Sequence, residues 1–186
     1  MSPNVSLEEV KSGLRRALTW HGDRPDRHRY ADVTGWWRRP ELLANLGPAL
    51  AGLFADRPPT VVIGPESRGC LLGPLVALHL GVGFVEVRKN RAGCIDSDAW
   101  LRRTTPPDYR DRHLSLGFRR RLVGGGDRAL FVDDWIETGG QAHGARLLTE
   151  DAGATWLGAA TVVDALRGNR VRRELDVRSL LHLREL

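Results

Sequence analysis

The chain has 186 residues, 41% of them hydrophobic and 27% charged, as is usual for a single globular domain. Its net charge of +5 is thinly spread, without a long basic run or an RNA-binding motif, so nucleic acid is not predicted as a partner. No apolar stretch approaches about 18 residues, which excludes a membrane helix. The N-terminus lacks signal-peptide features, and two cysteines without a metal or redox spacing indicate reduced thiols in a cytoplasmic protein.

The first half of the chain is predicted to form two helices and then a strand–helix–strand unit. Ser6 and Glu9 have the spacing of a capping box, which starts a helix. Pro40 is favourable in a first helical turn, and Gly81 is a good left-handed helix end. The predicted elements are a helix over about 6–19, a loop over 21–29, a helix from Pro40 to before Pro58, a strand over 60–64, a helix over 71–80 and a strand over 83–88.

The second half repeats the strand–helix–strand order. Strands are predicted over 129–133 and 154–163, with a helix over about 140–151 between them, and a last strand over 177–183. Alternation of this kind is typical of an α/β fold with a mostly parallel twisted sheet flanked by helices. No repeat or linker divides the chain, so we predict a single domain over residues 1–186.

Residues 89–114 show no regular pattern, because Gly and Pro interrupt them. An irregular segment of this length inside a small domain is usually functional or disordered. We therefore predict a flexible lid loop over a reacting centre, with a plain surface loop as the alternative.

The most informative stretch is an apolar run that ends on Asp133 and Asp134 and continues into Thr138, Gly139 and Gly140. Carboxylates at a strand end can accept hydrogen bonds from vicinal hydroxyls. Glycines expose backbone N–H groups at a helix N-terminus, where the aligned peptide dipoles favour a phosphate. Together these features predict a ribose 5-phosphate site. The simpler alternative is an Asp- and Gly-rich turn without a ligand.

This order of strand, two acids, glycine loop and helix resembles the type I phosphoribosyltransferases. In that family the acids hold the 2′ and 3′ hydroxyls of phosphoribosyl pyrophosphate (PRPP) and the loop binds its 5′-phosphate. Gln141 stands where a Thr is common in the family. The resemblance assigns the ribose 5-phosphate to Asp133, Asp134, Glu137, Thr138, Gly139, Gly140 and Gln141.

A second loop follows the first strand of the sheet. Ligands of open parallel sheets bind beyond the carboxyl ends of the strands, so both loops are expected at one edge. The sequence Gly-Pro-Glu-Ser-Arg-Gly is similar to adenine phosphoribosyltransferases within the family, and an ordinary strand–helix turn is the alternative. The resemblance implies a pyrophosphate loop formed by Glu66, Ser67, Arg68 and Gly69, assisted by Arg88 and Lys89.

The N-terminal residues, to about residue 38, are similar to a small hood that covers the base in these enzymes. Tyr30 takes the aromatic position of the hood segment, whereas Ala31 replaces an arginine. Trp135 stands where the family packs an aliphatic side chain on the base, so the indole is predicted to stack on a purine. The alternative for Trp135 is a tryptophan of the core.

Glu137 departs from the adenine enzymes, which carry a small residue here, and is closer to the Asp of the hypoxanthine and guanine enzymes. It is predicted to exchange a proton with purine N7, and the alternatives are a solvated side chain or a cap on the loop. Asp108 and Tyr109 resemble a Glu-Tyr pair on the family's lid loop. The predicted catalytic residues are Asp108, Tyr109, Asp133, Asp134 and Glu137.

The resemblance implies a transferase of purine salvage that moves the 5-phosphoribosyl group from PRPP to a purine and releases pyrophosphate. It also implies Mg²⁺ carried by PRPP, without a dedicated protein site, and a cytoplasmic homodimer. Two alternatives stay open: a non-catalytic protein that senses PRPP or a nucleotide, and a phosphoribosyltransferase for another nitrogen base.

Overall fold

The computed structural model describes residues 5–22, 30–89, 99–105 and 114–186, in which helices and strands alternate. The helices are α1 (Leu7–Ala17), α2 (Thr34–Arg38), α3 (Pro40–Gly52), α4 (Gly69–Leu80), α5 (Gly140–Asp151) and α6 (Asn169–Glu174). The strands are β1 (Thr19–His21), β2 (Tyr30–Asp32), β3 (Val61–Pro65), β4 (Gly83–Lys89), β5 (Trp100–Thr104), β6 (Ser115–Arg119), β7 (Arg128–Ile136), β8 (Thr155–Asp164) and β9 (Val177–His182).

Seven of these strands form one sheet in the order β5-β6-β4-β3-β7-β8-β9. Strands β4, β3, β7, β8 and β9 are parallel to one another. Strands β6 and β5 continue the sheet in antiparallel pairing. The prediction of a mostly parallel sheet flanked by helices is therefore confirmed.

The local signals read from the sequence act as expected at the helix ends. The side chains of Ser6 and Glu9 each accept a hydrogen bond from the other's backbone N–H, which completes the capping box of α1. Gly81 ends α4 with φ of +69°, in the left-handed region that glycine adopts without a steric penalty. Strand β3 is buried along its whole length, as its continuous apolar run predicts.

Two apolar cores lie on opposite faces of the sheet. Helices α1 to α4 pack on one face, where Leu14, Trp36 and Leu72 are fully buried against sheet residues such as Val62. Helix α5 packs on the other face against residues such as Phe131. The alternation of side chains along each strand sends neighbouring residues to different cores. Both faces of the central strands are therefore covered, and the strand ends are left for function.

Two segments differ from the prediction. Residues 100–104, expected to be irregular, form β5, because pairing with β6 satisfies their backbone groups. Residues 19–21, predicted to include the end of the first helix and the start of the loop over 21–29, form β1, because they pair with residues 30–32 in a two-stranded hairpin. The rest of the predicted lid, residues 90–98 and 106–113, lies outside the described residues. None of the described helices combines the length and the apolar character that a membrane span requires.

Candidate active site

The two predicted loops meet at the carboxyl ends of β3 and β7, which are adjacent parallel strands. One loop joins β3 to α4 through residues 66–68, and the other joins β7 to α5 through residues 137–139. The position follows from topology, since each strand runs in the same direction and is followed by a helix. We call residues 66–69 the pyrophosphate loop and residues 137–140 the phosphate loop.

Asp133 and Asp134 lie near the end of β7 and are buried, with 7% and 6% of their surface exposed. The backbone N–H of Asp134 donates a hydrogen bond of 2.9 Å to Oδ1 of Asp133. Burial, and then the neighbouring charge of Asp134, raise the pKa of Asp133 well above its ordinary value, whereas Lys89 acts in the opposite direction. A negative charge on Asp133 is therefore costly in the free protein, and a hydroxyl donor or a cation would stabilise it.

Arg68 connects the two loops. Its Nη1 donates a hydrogen bond of 2.8 Å to Oδ2 of Asp134. The Arg68 side chain is 41% exposed, whereas the Asp134 side chain is 9% exposed. The guanidinium therefore reaches from the open side of the pyrophosphate loop to the buried acid of β7.

The pyrophosphate loop is fixed by backbone contacts with β4. The Glu66–Ser67 peptide is cis. The N–H of Glu66 donates to the carbonyl of Val87 over 3.0 Å, and the Glu66 carboxylate accepts from the N–H of Lys89 over 2.8 Å. The Glu66 side chain thus holds β4, while Ser67 is exposed at the tip of the loop.

Gly69 and Arg88 complete this side of the site. A Cβ at Gly69 would lie 2.3 Å from Cδ of Pro65 and 2.9 Å from the carbonyl oxygen of Val132, so only glycine fits between β3 and β7. Arg88 is paired with Glu86, and its Nε lies 4.0 Å from the Glu66 carboxylate. The structure thus brings Arg88 and Lys89 to the predicted pyrophosphate loop.

The phosphate loop has the geometry of an anion site at a helix start. Gly139 is the N-cap of α5 with φ of +80°, and the N–H of Gly140 donates to Oγ1 of Thr138 over 3.3 Å. The N–H groups of the first turn of a helix have no partner within the helix, so the start of α5 suits an anionic ligand. Oε1 of Gln141 is buried and lacks a hydrogen-bond partner, one of three such atoms in the described part of the chain.

The side of the site assigned to the base carries an aromatic pair. Trp135 is half-buried on β7 and meets Trp20 of β1 edge to face, with ring centroids 6.3 Å apart. Tyr30 is 63% exposed and stacks on His21 of the same hairpin, at 5.2 Å. Sequence reasoning missed Trp20, because it follows a predicted helix and has no pattern that separates it from a core tryptophan.

Glu137 is exposed in the phosphate loop, immediately after β7. The predicted lid residues Asp108 and Tyr109 lie outside the described residues. Within the described ranges, no three His, Cys, Asp or Glu side chains cluster as a metal site. Of the predicted catalytic residues, the structure therefore brings together the two aspartates and places Glu137 on the adjoining loop.

A mostly parallel sheet with these two loops at one edge is the arrangement of a type I phosphoribosyltransferase. The family model for the phosphoribosyl transferase domain matches residues 38–183. The adenine phosphoribosyltransferase of Methylococcus capsulatus is 34% identical, with 82% of this chain and 88% of that protein covered.

Solved structures agree with the sequence relatives. The adenine phosphoribosyltransferase of Rhodothermus marinus is 31% identical, with a TM-score of 0.79 and coverage of 95% of this chain and 99% of that one. The adenine phosphoribosyltransferase of Saccharomyces cerevisiae, solved with an imino-altritol bisphosphate and adenine, is 29% identical with a TM-score of 0.74. The match covers 94% of this chain and 99% of that one. The chain belongs to the phosphoribosyltransferase family, and the resemblance to its adenine enzymes is confirmed.

Proposed function

We propose that this protein is a Mg²⁺-dependent purine phosphoribosyltransferase that transfers the 5-phosphoribosyl group of PRPP to a purine, with adenine as the first candidate. The observation that carries the proposal is the pair of buried acids between two anion-binding loops at one sheet edge. The adenine enzymes among its relatives support the choice of base.

The substrate fits the site in three parts. The 5′-phosphate lies on the N–H groups of the phosphate loop at the start of α5, where the helix dipole favours an anion. The ribose hydroxyls donate to Asp133 and Asp134, and these hydrogen bonds favour the charged form that burial opposes. The pyrophosphate lies at the loop of Ser67 and Arg68, with Lys89 as a point charge.

Bound Mg²⁺ would neutralise the pyrophosphate, and Asp133 and Asp134 suit it, because hard cations prefer carboxylate oxygens. A purine ring nitrogen forms the new bond to C1′ as the C1′–oxygen bond breaks and pyrophosphate leaves with the electron pair. Positive charge develops at C1′, and the neighbouring carboxylates stabilise it. Glu137 accepts the proton that the purine loses at N7.

The base binds between the hood and the end of β7. Residues up to about 38 form the hood, and its β1–β2 hairpin already contacts Trp135 through Trp20. Tyr30 and Trp135 are the proposed aromatic contacts of the purine. The lid of the proposal is what remains of the predicted segment beside β5, residues 90–98 and 106–113, with Asp108 and Tyr109 as its catalytic pair. Its closure would exclude water and so favour transfer over hydrolysis.

The proposal includes a cytoplasmic homodimer in purine salvage. Helix α4 is apolar on most of its surface, and Leu71 and Leu78 are 51% and 81% exposed. Apolar side chains at this exposure support a partner surface. The two cysteines of the chain, without a metal or redox spacing, support a reducing compartment.

A panel of bases tests the function. The protein is incubated with PRPP, Mg²⁺ and one base at a time, and pyrophosphate release and nucleotide formation are measured together. We expect the highest kcat/KM with adenine and none after Mg²⁺ is removed with a chelator. Transfer only to a base outside the purines would contradict the proposal, and PRPP binding without turnover of any base would identify a sensor.

A further inference from the structure

Helix α6 sets the position of the phosphate loop by direct contact. A Cβ at Gly139 would lie 2.6 Å from Cγ1 of Val171 and 3.3 Å from Cδ1 of Leu175. Gly139 is therefore in close contact with Val171 of α6 and with Leu175, which follows the helix. Because Gly139 is the N-cap of α5, any shift of α6 changes the direction of the N–H groups that follow it.

Helix α6 has only six residues, too few to be stable without tertiary contacts. Arg172 provides one of these contacts. Its Nε and Nη2 both donate to the carboxylate of Asp164, the Nη2 contact measuring 3.1 Å. The same Nη2 donates to the carbonyl of Leu166 over 3.1 Å. A single guanidinium thus binds α6 to the segment that leaves β8.

Asp164 is in turn fixed to the strand that leads into the phosphate loop. Its side chain is 4% exposed, and its Oδ1 also accepts the N–H of Leu166 over 2.9 Å. Asp164 is the register partner of Ile136, whose carbonyl accepts the N–H of Ala165 over 2.8 Å. Ile136 immediately precedes the phosphate loop. The loop is therefore held from both sides, by β8 before it and by α6 beside it.

A second contact joins α6 to the helix that the loop begins. Nη1 of Arg146, on α5, donates to the carbonyl of Glu174 over 2.8 Å. This contact lies at the protein surface, where Arg146 also pairs with Glu150. The Arg172–Asp164 pair differs, because removal of Arg172 takes the guanidinium donors away from a carboxylate that is 4% exposed.

We propose that Arg172 is a positioning residue of the phosphate loop, which acts through α6 and Asp164 without touching the substrate. The inference rests on the proposed function, because the ligand of that loop is the 5′-phosphate of PRPP. Arg172 then sets the affinity for the ribose 5-phosphate part of the substrate and leaves the affinity for pyrophosphate unchanged, since the pyrophosphate loop is built on β3 and β4.

Calorimetry with ribose 5-phosphate and with Mg-pyrophosphate tests this division in the full chain. Arg172→Met should weaken ribose 5-phosphate binding about tenfold, as small misplacements of a binding group do, and raise KM for PRPP more than it lowers kcat. Val171→Ala, which trims the contact on Gly139, should weaken the same ligand about threefold. Val171→Ala provides the test if Arg172→Met does not fold. Arg178→Met is the matched control, because Arg178 also donates two hydrogen bonds to one carboxylate, that of Asp56, near the amino end of β9.

Selective loss of ribose 5-phosphate affinity in Arg172→Met or Val171→Ala, with Arg178→Met unchanged, supports the inference. Normal ribose 5-phosphate affinity in the folded variants would overturn it, and so would an equal loss for both ligands. Failure of the unmodified protein to bind ribose 5-phosphate is a distinct result, which would overturn the proposed function and this inference with it.

Discussion

Arg68 and Asp134, 66 positions apart in the sequence, are joined by a hydrogen bond of 2.8 Å. The contact links the pyrophosphate loop to the acid pair that is proposed to bind the ribose. It also supplies a positive charge to a carboxylate that is buried beside another carboxylate. One guanidinium therefore serves both parts of the proposed site.

Replacing Arg68 with methionine keeps an unbranched apolar stem and removes the guanidinium with its charge and its donors. We expect kcat/KM for PRPP to fall about tenfold, because a hydrogen bond between charged groups is lost in a partly exposed position. Steady-state kinetics with PRPP as the varied substrate provides the measurement. Arg178→Met serves as control, and an equal decrease in that variant would assign the effect to stability.

Exchange of both acids for asparagine tests the proposed contact with the ribose hydroxyls. Asp133→Asn with Asp134→Asn should reduce turnover at least about 100-fold, since both charged acceptors are lost where positive charge develops. Asp151→Asn, at the far end of α5 and paired with Arg103, is the matched control. Near-normal kinetics of the double variant would exclude the ribose role.

Glu137 is expected to influence the choice of base. Glu137→Ala restores the small residue of the adenine enzymes, and we expect the ratio of adenine to hypoxanthine kcat/KM to change about tenfold, with an altered pH profile of kcat. Glu150→Ala, an exposed glutamate farther along α5, controls for the loss of one surface charge. Identical base preference and pH profiles in the Glu137 variant and the unmodified protein would remove Glu137 from the mechanism.

Gly139 and Gly81 have similar positive φ angles, so a comparison of their alanine variants separates the effect of backbone strain from that of side-chain packing. Gly139→Ala and Gly81→Ala both place a Cβ at positive φ, +80° and +69°, and each should lose about 1–2 kcal/mol of stability. Only at Gly139 does the Cβ also collide with Val171. We expect ribose 5-phosphate affinity to decrease in Gly139→Ala alone, as measured by calorimetry beside thermal unfolding.

The buried acid predicts a pH dependence of stability in the free protein. Because the folded state raises the pKa of Asp133 above its ordinary value of 3.8, the folded protein binds more protons than the unfolded chain above about pH 4. The contribution of this group to stability therefore falls as pH rises through the raised pKa. Asp133→Asn removes it, so the variant should have the higher Tm at pH 7 and lose that advantage towards pH 4. A constant difference in Tm would contradict the assignment.

Local sequence determined most of the elements and both site loops. Strand β3 and helix α5 are predicted within about one residue, because continuous apolar runs and glycine punctuation act over short distances. The phosphate loop is recognisable for the same reason, since Asp133, Asp134 and the two glycines of the loop lie within one short stretch, residues 133–140. The ligands predicted for the acids and the glycines follow from the hydrogen-bonding groups that this short segment already contains.

Tertiary structure decided the rest. Strand β5 has exposed residues at 102–104 without an alternating pattern, and it becomes a strand only through pairing with β6. The contacts Arg68–Asp134, Trp20–Trp135 and Arg172–Asp164 join side chains whose partners no local pattern can specify. Sequence by itself therefore determined the two loops and the acid pair of the site. The parallel order of β3, β7 and β8 decided which charged side chains meet and that α6 packs against the phosphate loop.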